Sequence, residues 1–187
     1  MLALALGIEG CAATVQPAGG GLTASQQLIA SEAIDRALDE LRWPNVDGHK
    51  VFIEIGATAG EEEQRYLRSA LAARVAERGG KVVTDLKTAD SELVVLAKAM
   101  GIDATQTFFG LPTLQSSLVP VGLPEIPLYK ATQQKGVAKL ETVLVDRKRG
   151  GVYAHPEPVK SEIWVKDWTV LFFSTRDANT HVLDSSS

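Results

Sequence analysis

What this chain can fold into is constrained most by strict alternation from Gly136 to Val145. Val137, Lys139, Glu141, Val143 and Val145 fall on one side, and Ala138, Leu140, Thr142 and Leu144 on the other. A period of two is the signature of an extended strand whose successive side chains point to opposite faces of a sheet. The run ends in Asp146-Arg-Lys-Arg-Gly-Gly151, where the dense basic stretch reads as a turn, and resumes as Val152-Tyr-Ala154. The spacing therefore predicts an antiparallel hairpin with a loop longer than two residues. A final strand is expected over 162–174, from Glu162-Ile-Trp-Val165 to Val170-Leu-Phe-Phe173, with a break near Lys166-Asp167. On this reading Trp164, Trp168, Phe172 and Phe173 are mostly core, with some on opposite faces.

The first half alternates helix and strand. Thr23 and Ser25 are candidate N-caps for a helix over 25–42, in which Leu28, Ala30, Ala33, Ile34, Ala37, Leu38 and Leu41 recur at spacings of three and four. Pro44 and Asp47-Gly48 stop it and set a turn. Lys50-Val-Phe-Ile-Glu-Ile55 reads as a strand. Glu61-Glu62-Glu63 then complements the dipole at the start of a second helix, Leu67, Ala70, Leu71 and Val75 form its apolar stripe, and Gly79-Gly80 closes it. Lys81-Val-Val-Thr84 is a further strand. Leu93-Val-Val-Leu-Ala97 is too short for periodicity to separate strand from helix; its paired valines, and its place after a strand-helix-strand unit, favour a strand.

Residues 101–134 differ in character. Gly110-Leu-Pro112, Pro120-Val-Gly122 and Leu123-Pro-Glu-Ile-Pro-Leu128 are too rich in proline and glycine for regular structure throughout. A connection of this length is more often an interaction segment than filler. Phe108, Phe109, Leu111, Leu114, Leu118 and Val119 sit among these breakers. They either present an apolar patch for association or fold back over one face of the sheet. The candidate partner-binding residues are Phe108, Phe109, Leu111, Pro112, Pro124, Glu125, Ile126, Pro127 and Leu128.

The N-terminus carries the clearest statement about location. The apolar run from Met1 to Ile8 leads through Glu9-Gly10 to Cys11, the one cysteine of the chain, followed by Ala12 and Ala13. This resembles the end of a bacterial lipoprotein signal, in which a small residue precedes a cysteine that is acylated. Glu9 departs from the small uncharged residue usual at its position. No Lys or Arg precedes Arg36, so either the reading frame starts upstream of Met1 with a basic region, or the arm has no targeting role. Gln16-Pro-Ala-Gly-Gly-Gly-Leu22 suits a flexible tether. The expected organisation is a truncated signal and tether over 1–22, one domain over 23–180 and a disordered tail over 181–187. A chain of 187 residues with 45% apolar and 22% charged residues fits a single core. A formal net charge of −4 without a clustered basic surface excludes nucleic acid as a partner. A single cysteine excludes an internal disulfide and a cysteine-based zinc site.

The body also has a resemblance. The strand ending in Asp146, the basic and glycine-containing loop and the return through Val152-Tyr153 are similar to the strand pair of periplasmic lipoproteins of the CsgG and LpoB type. The preceding strand, helix, strand and Ala89-Asp90-x-x-Leu-Val-Val95 resemble that group as well. Pro124-Glu-Ile-Pro-Leu128 and Gly136-Val-Ala-Lys139 resemble segments of bacterial lipoproteins of unassigned function. The resemblance implies an anchored envelope protein with an α/β body that binds other proteins or itself, and it implies no chemistry. No long amphipathic segment of the kind that builds a transmembrane barrel is evident, so pore formation is not carried across.

Catalytic patterns are weak by comparison. His49, His155 and His181 fall in no nucleophile elbow or zinc helix and read as solvated loop residues. Gly19-Gly20-Gly21 follows no strand and lacks a phosphate-loop lysine. Asp85, Asp90 and Asp103 could meet near strand ends, with turn or capping roles coming first. The sequence therefore predicts an α/β or α+β domain of two helices on a mixed sheet of about five to six strands, with a C-terminal antiparallel hairpin. It predicts no cofactor and no metal. The functional expectation is a membrane-anchored, non-catalytic interaction or assembly factor acylated at Cys11, as an outer-membrane lipoprotein facing the periplasm. A soluble periplasmic ligand-binding module is the alternative, followed by a hydrolase with an unrecognised site.

Overall fold

The alternating run lies at the centre of the molecule. The computed structural model describes residues 14–15, 22–111, 114–116, 119–123, 126–154 and 156–181. In chain order the elements are β1 (Thr14–Val15), α1 (Ala24–Glu40), β2 (Lys50–Ala57), α2 (Glu61–Glu77), β3 (Lys81–Val83), a 3-10 turn (Leu86–Thr88), β4 (Ser91–Leu111), β5 (Leu114–Ser116), β6 (Val119–Leu123), β7 (Ile126–Asp146), β8 (Gly151–Ala154), β9 (Val159–Val170) and β10 (Phe173–Ala178). The main sheet has the order β10-β9-β7-β4-β2-β3, with β1 added to β4 and β8 to β7, while β5 and β6 pair with each other. β2 runs parallel to β3 and β4, and the other pairs of the main sheet are antiparallel. Two helices on a mixed sheet is the α+β arrangement that the sequence predicts.

Both helices are specified locally. Thr23 caps α1 through a reciprocal box: the Gln26 N–H donates to Thr23 Oγ1 at 3.3 Å, and the Thr23 N–H donates to Gln26 Oε1 at 2.9 Å. Three glutamates occupy the first turn of α2. Its other end closes with the Gly80 N–H on Val75 O and the Gly79 N–H on Ala76 O, both at 3.0 Å, with Gly79 at φ +77°. That is the Schellman geometry, in which glycine takes the left-handed position without strain. The buried stripes, Ile29, Ala33, Ile34, Ala37 and Leu38 on α1 and Leu67, Leu71 and Val75 on α2, meet one face of the sheet through Val51, Ile53, Leu93, Val95, Ala97, Ala138, Leu140, Leu144 and Ile163. Gly136 marks the closest approach of α1, since a Cβ there would lie 2.7 Å from the Ile29 carbonyl oxygen.

The helices do not cover the whole sheet, and the reason is length. Each helix has 17 residues and each central strand, β4 and β7, has 21. At 1.5 Å per helical residue a helix is about 26 Å long, whereas a strand of that size extends about 70 Å. β2 leaves the sheet where Ala57 pairs with Ala97, and β4 shifts register between Ala97 and Ala99 at that point. Beyond this bulge β2 and β3 are absent, and β4, β7 and β9, joined by β10 from the Val165–Ala178 pair onward, carry the sheet past the helical layer.

Several sequence expectations change here. Residues 101–134 are largely regular: β4 runs through Leu111, β7 starts at Ile126, and β5 and β6 pair between them. The breakers are absorbed locally. Gly110 pairs with Pro127 at a second register shift, where proline's missing N–H is tolerated. A Cβ on Gly110 would collide with the Ile126 carbonyl and lie 2.9 Å from Pro127 Cα, so glycine accommodates the bulge. Strands of 21 residues are longer than any extended segment evident from the sequence. The final strand is two, β9 and β10, and the chain reverses at Leu171-Phe172 rather than breaking near Lys166. Thr14 and Val15, read as tether, pair with Gln106 and Thr105 of β4. His181 is exposed, and 182–187 lie outside the described residues.

Replacing Gly136 by Ala is expected to force α1 away from β7 and to lower stability by roughly 1 to 3 kcal/mol, the usual cost of overpacking. Urea unfolding of Gly136→Ala against the parent checks it; an unchanged midpoint would show that α1 does not rest on that glycine.

Candidate functional site

Rows of the antiparallel ladder show what the projecting part of the sheet carries. Side chains opposite each other in such a ladder share a face, and the face alternates from row to row. Ile102, Gly136 and Ile163 form a row on the helical face. Farther along come two polar rows: Thr105, Gln133, Lys166 and Asp177, then Gln106, Thr132, Asp167 and Arg176. Arg176 Nε donates to Asp167 Oδ1 at 2.6 Å. Beyond this belt the faces differ: the helical face carries a row of Phe108, Lys130, Thr169 and Ser174, with Thr169 Oγ1 2.9 Å from Ser174 Oγ, and the uncovered face turns apolar. Phe109, Tyr129, Val170 and Phe173 form one row on the uncovered face, with Trp168 two rows behind. By the same alternation Leu128 falls on the helical face. The Leu171 N–H donates to Leu128 O at 3.0 Å and continues the ladder into the turn.

This distal end is the largest concentration of exposed apolar surface on the described residues. Of the fourteen large apolar side chains that are exposed, nine are here: Phe109, Leu111, Ile126, Leu128, Trp168, Val170, Leu171, Phe172 and Phe173. The other five, Leu28, Tyr66, Val82, Leu96 and Val152, are outside it. Phe172 is 90% exposed and Phe173 81%. Contiguous patches of this kind mark association sites, whereas scattered apolar residues do not. The turn itself is strained: Leu171 has φ +54° and is the one non-glycine residue with positive φ among the described residues. Hairpin turns that need this conformation normally carry Gly, Asn or Asp. A bulky, half-exposed residue held there, beside the most exposed phenylalanine, carries a local backbone cost.

The structure thus joins much of the sequence-predicted segment. Phe108, Phe109 and Leu111 at the end of β4 meet Ile126, Pro127 and Leu128 at the start of β7, although Phe108 is only partly exposed. The described part of the segment does not fold back over the sheet; it extends it. Pro112, Pro124, Glu125 and Cys11 lie outside the described residues. The β9–β10 turn was missed, because Trp168, Phe172 and Phe173 read as core; all three are exposed and Trp164 is half-buried. No Gly, Pro, Asn or Asp falls between Trp168 and Arg176, so the sequence carries none of the usual turn signals there.

The opposite end of the sheet gathers polar groups. His49, expected in a solvated turn, is half-buried, with Nδ1 2.8 Å from Ser91 Oγ. Ser91 is 2% exposed, so its hydroxyl has no open approach for a substrate, and the contact joins the starts of β2 and β4. Asp90 accepts from the Lys50 N–H at 3.0 Å and pairs with Lys148 at 2.8 Å; the lysine first, then the backbone bond, holds its carboxyl below the usual range. Asp146 is held low by the N–H groups of Arg149 and Lys148 in the basic turn. Asp85 caps the 3-10 turn through the Lys87 N–H, and Asp103 lies far along β4 opposite Lys135, so Asp85, Asp90 and Asp103 do not converge. On the uncovered face, burial and then a hydrogen bond with Glu54 push Glu92 up, with Arg147 3.3 Å away. No three His, Cys, Asp or Glu side chains among the described residues are grouped to hold a metal ion.

One cavity accompanies the helical layer. It has a volume of about 690 Å³, lies between α1 and α2 and is lined by Leu28, Ile34, Glu62, Glu63, Arg65 and Tyr66 among others. Tyr66 donates its hydroxyl to Asp35 Oδ2 at 2.6 Å. Burial, then the bond to that carboxylate and its charge, push the phenol up to about 12. No helix among the described residues is long and apolar enough to cross a membrane. No protein-family model matches this chain, and no curated protein matches it.

Two outcomes follow. Leu171→Gly is expected to relieve the left-handed backbone and raise stability by about 1 kcal/mol in urea unfolding; a loss would show that Leu171 packs into the fold. Because the Tyr66 phenol is raised in the folded state, the stability it contributes is complete below pH 10 and is lost as the pH rises through about 12. Ultraviolet titration should show one late tyrosinate that titrates earlier in Asp35→Asn. A Tyr66 that ionises near the ordinary value of about 10 contradicts the Asp35 bond.

Proposed function

We propose that this chain is a bacterial envelope lipoprotein, acylated at Cys11, whose body is a non-catalytic interaction or assembly factor held against the outer membrane on its periplasmic side. The observation that carries the reading is the distal end of the sheet, where the described residues spend stability on exposed aromatics and a strained turn. Surface of that kind is useful for docking and has no role in the core. The N-terminal sequence supports the anchor: an apolar run, a small residue and Cys11 are followed by a glycine-rich stretch before α1. One acyl chain gives only marginal residence, with a partition constant on the order of 10⁴ per molar, so a triply acylated cysteine suits a permanent attachment. The chemistry required of the body is then positional, which is consistent with the buried Ser91 hydroxyl beside His49.

A second reading has its own observation. The cavity between α1 and α2, of about 690 Å³, falls within the size range of small-molecule sites and combines apolar walls with Glu62, Glu63, Arg65 and Tyr66. It favours a periplasmic ligand-binding module. Native mass spectrometry of protein purified from its own envelope distinguishes the two, because a retained small molecule would favour the module.

Expression from the full reading frame, followed by mass spectrometry of the N-terminal peptide, is expected to find Cys11 as the first residue, carrying a diacylglyceryl thioether and an amide-linked acyl chain. An exported protein with an unmodified Cys11 thiol rejects the anchor.

A further inference from the structure

We propose that the distal end of the sheet enters the lipid bilayer itself, as a shallow interfacial wedge in the same membrane that holds the Cys11 anchor. The inference rests on the lipoprotein reading only for the word "same"; insertion of the wedge stands on its own observations.

The first is that the apolar groups lie on both faces and over the end. The row of Phe109, Tyr129, Val170 and Phe173 occupies the uncovered face, Leu128 falls on the other, and Phe172 caps the turn. A rigid protein partner or a second copy packs against one face of such a sheet, whereas hydrocarbon surrounds both. The second is the polar boundary behind it. Trp168 stands between the row of Phe109, Tyr129, Val170 and Phe173 and the row containing Lys166, and Lys130 lies on the helical face one row behind Phe109, as amphipathic rings and lysines stand at a membrane interface. The third is depth. Trp168 to Leu171 is three residues, about 10 Å of strand. That matches the 5 to 10 Å to which interfacial elements sink and falls well short of a hydrocarbon core of about 30 Å.

The fourth observation is the course of the chain at both ends of this region. From Phe108 to Tyr129 the sequence contains one charged residue, Glu125, so the β4–β7 connection brings almost no charge that a bilayer would have to desolvate. β1 pairs antiparallel with β4, Thr14 opposite Gln106 and Val15 opposite Thr105, so the chain traced from Val15 to Thr14 heads toward Phe109. Cys11 is three residues from Thr14, a reach of at most about 11 Å. Phe109 lies three residues beyond Gln106, about 10 Å along β4. The covalent chain therefore permits the anchor and the wedge to meet one membrane plane, where the wedge adds to the hold of the anchor.

The test uses the full chain without its acyl group. In Cys11→Ser, Phe172→Cys supplies a single thiol for a nitrobenzoxadiazole label, and Arg149→Cys supplies one at the β7–β8 turn as the control. On vesicles of phosphatidylethanolamine and phosphatidylglycerol, the label at 172 is expected to brighten several-fold and to be quenched more by lipids brominated near the headgroup than by lipids brominated near the chain ends. The label at 149 is expected to stay unchanged. Phe172→Ser with Phe173→Ser, otherwise unlabelled, should lose vesicle co-sedimentation while keeping the parent far-ultraviolet spectrum. A label at 172 that ignores vesicles overturns the proposal, as do equal responses at both positions and deeper quenching that indicates a span. Self-association by light scattering that disappears in the Phe172→Ser and Phe173→Ser chain would also overturn it, by assigning the end to a second copy. An unmodified Cys11 in the natural protein together with a responsive label at 172 would remove the lipoprotein reading and leave the wedge.

Discussion

The β4–β7 ladder is the interaction on which the rest of the structure depends. It joins Ser91 to Asp146 at one end and Leu111 to Ile126 at the other, and every other strand of the main sheet is added to it directly or through one neighbour. Backbone hydrogen bonds along a ladder are indifferent to side chains, so pairing continues wherever the chain stays extended. Burial is different, because it requires a second layer, and two helices of 17 residues cannot roof strands of 21. The molecule therefore divides along the strands into a roofed part with a core and an unroofed part made only of sheet. Gly136, under Ile29, marks where α1 seats on the roofed part.

That division assigns different work to similar residues. Along the helical face of β9, Ser161, Ile163 and Val165 are buried, whereas Asp167 and Thr169 farther along are only half-buried. The polar rows around Thr132 and Gln133 separate the two apolar regions and keep the distal end from continuing the core. Leu171 at positive φ adds local strain to exposed aromatic surface. A sequence shaped for stability alone would place glycine in the turn and polar residues around it. The present arrangement is intelligible as a docking device whose benefit is realised outside the isolated chain.

The roofed half was legible from the sequence because its signals are local. The Thr23 capping box, the three glutamates opening α2, Gly79-Gly80 and the alternation from Val137 to Val145 each act over a few residues. The distal half was less legible because its regularity is carried by pairing. Gly110 and Pro127 look like breakers singly, and only their opposition across two strands makes a bulge that each requires of the other. The aromatics from Trp164 to Phe173 were read as mostly core because composition reports hydrophobicity and not the face: Trp164, Trp168 and Phe173 fall on the side of the sheet that no helix covers, and Phe172 falls in the turn. His49 was misplaced for a similar reason, since its partner Ser91 is distant in sequence and adjacent in space. Phe109, Leu111, Ile126 and Leu128 were candidates for an interaction segment, and the structure shows them exposed beside side chains contributed by β9 and β10.

The central claim is that the distal aromatics contribute nothing to the core of the free protein. It is tested most directly by urea unfolding of the chain carrying both Phe172→Ser and Phe173→Ser, in water without lipid. The account predicts stability equal to or above the parent, with an unchanged slope of free energy against urea. A loss of about 3 kcal/mol or more, the cost of truncating a phenylalanine in a packed interior, would show that the two rings are part of the fold and would contradict it.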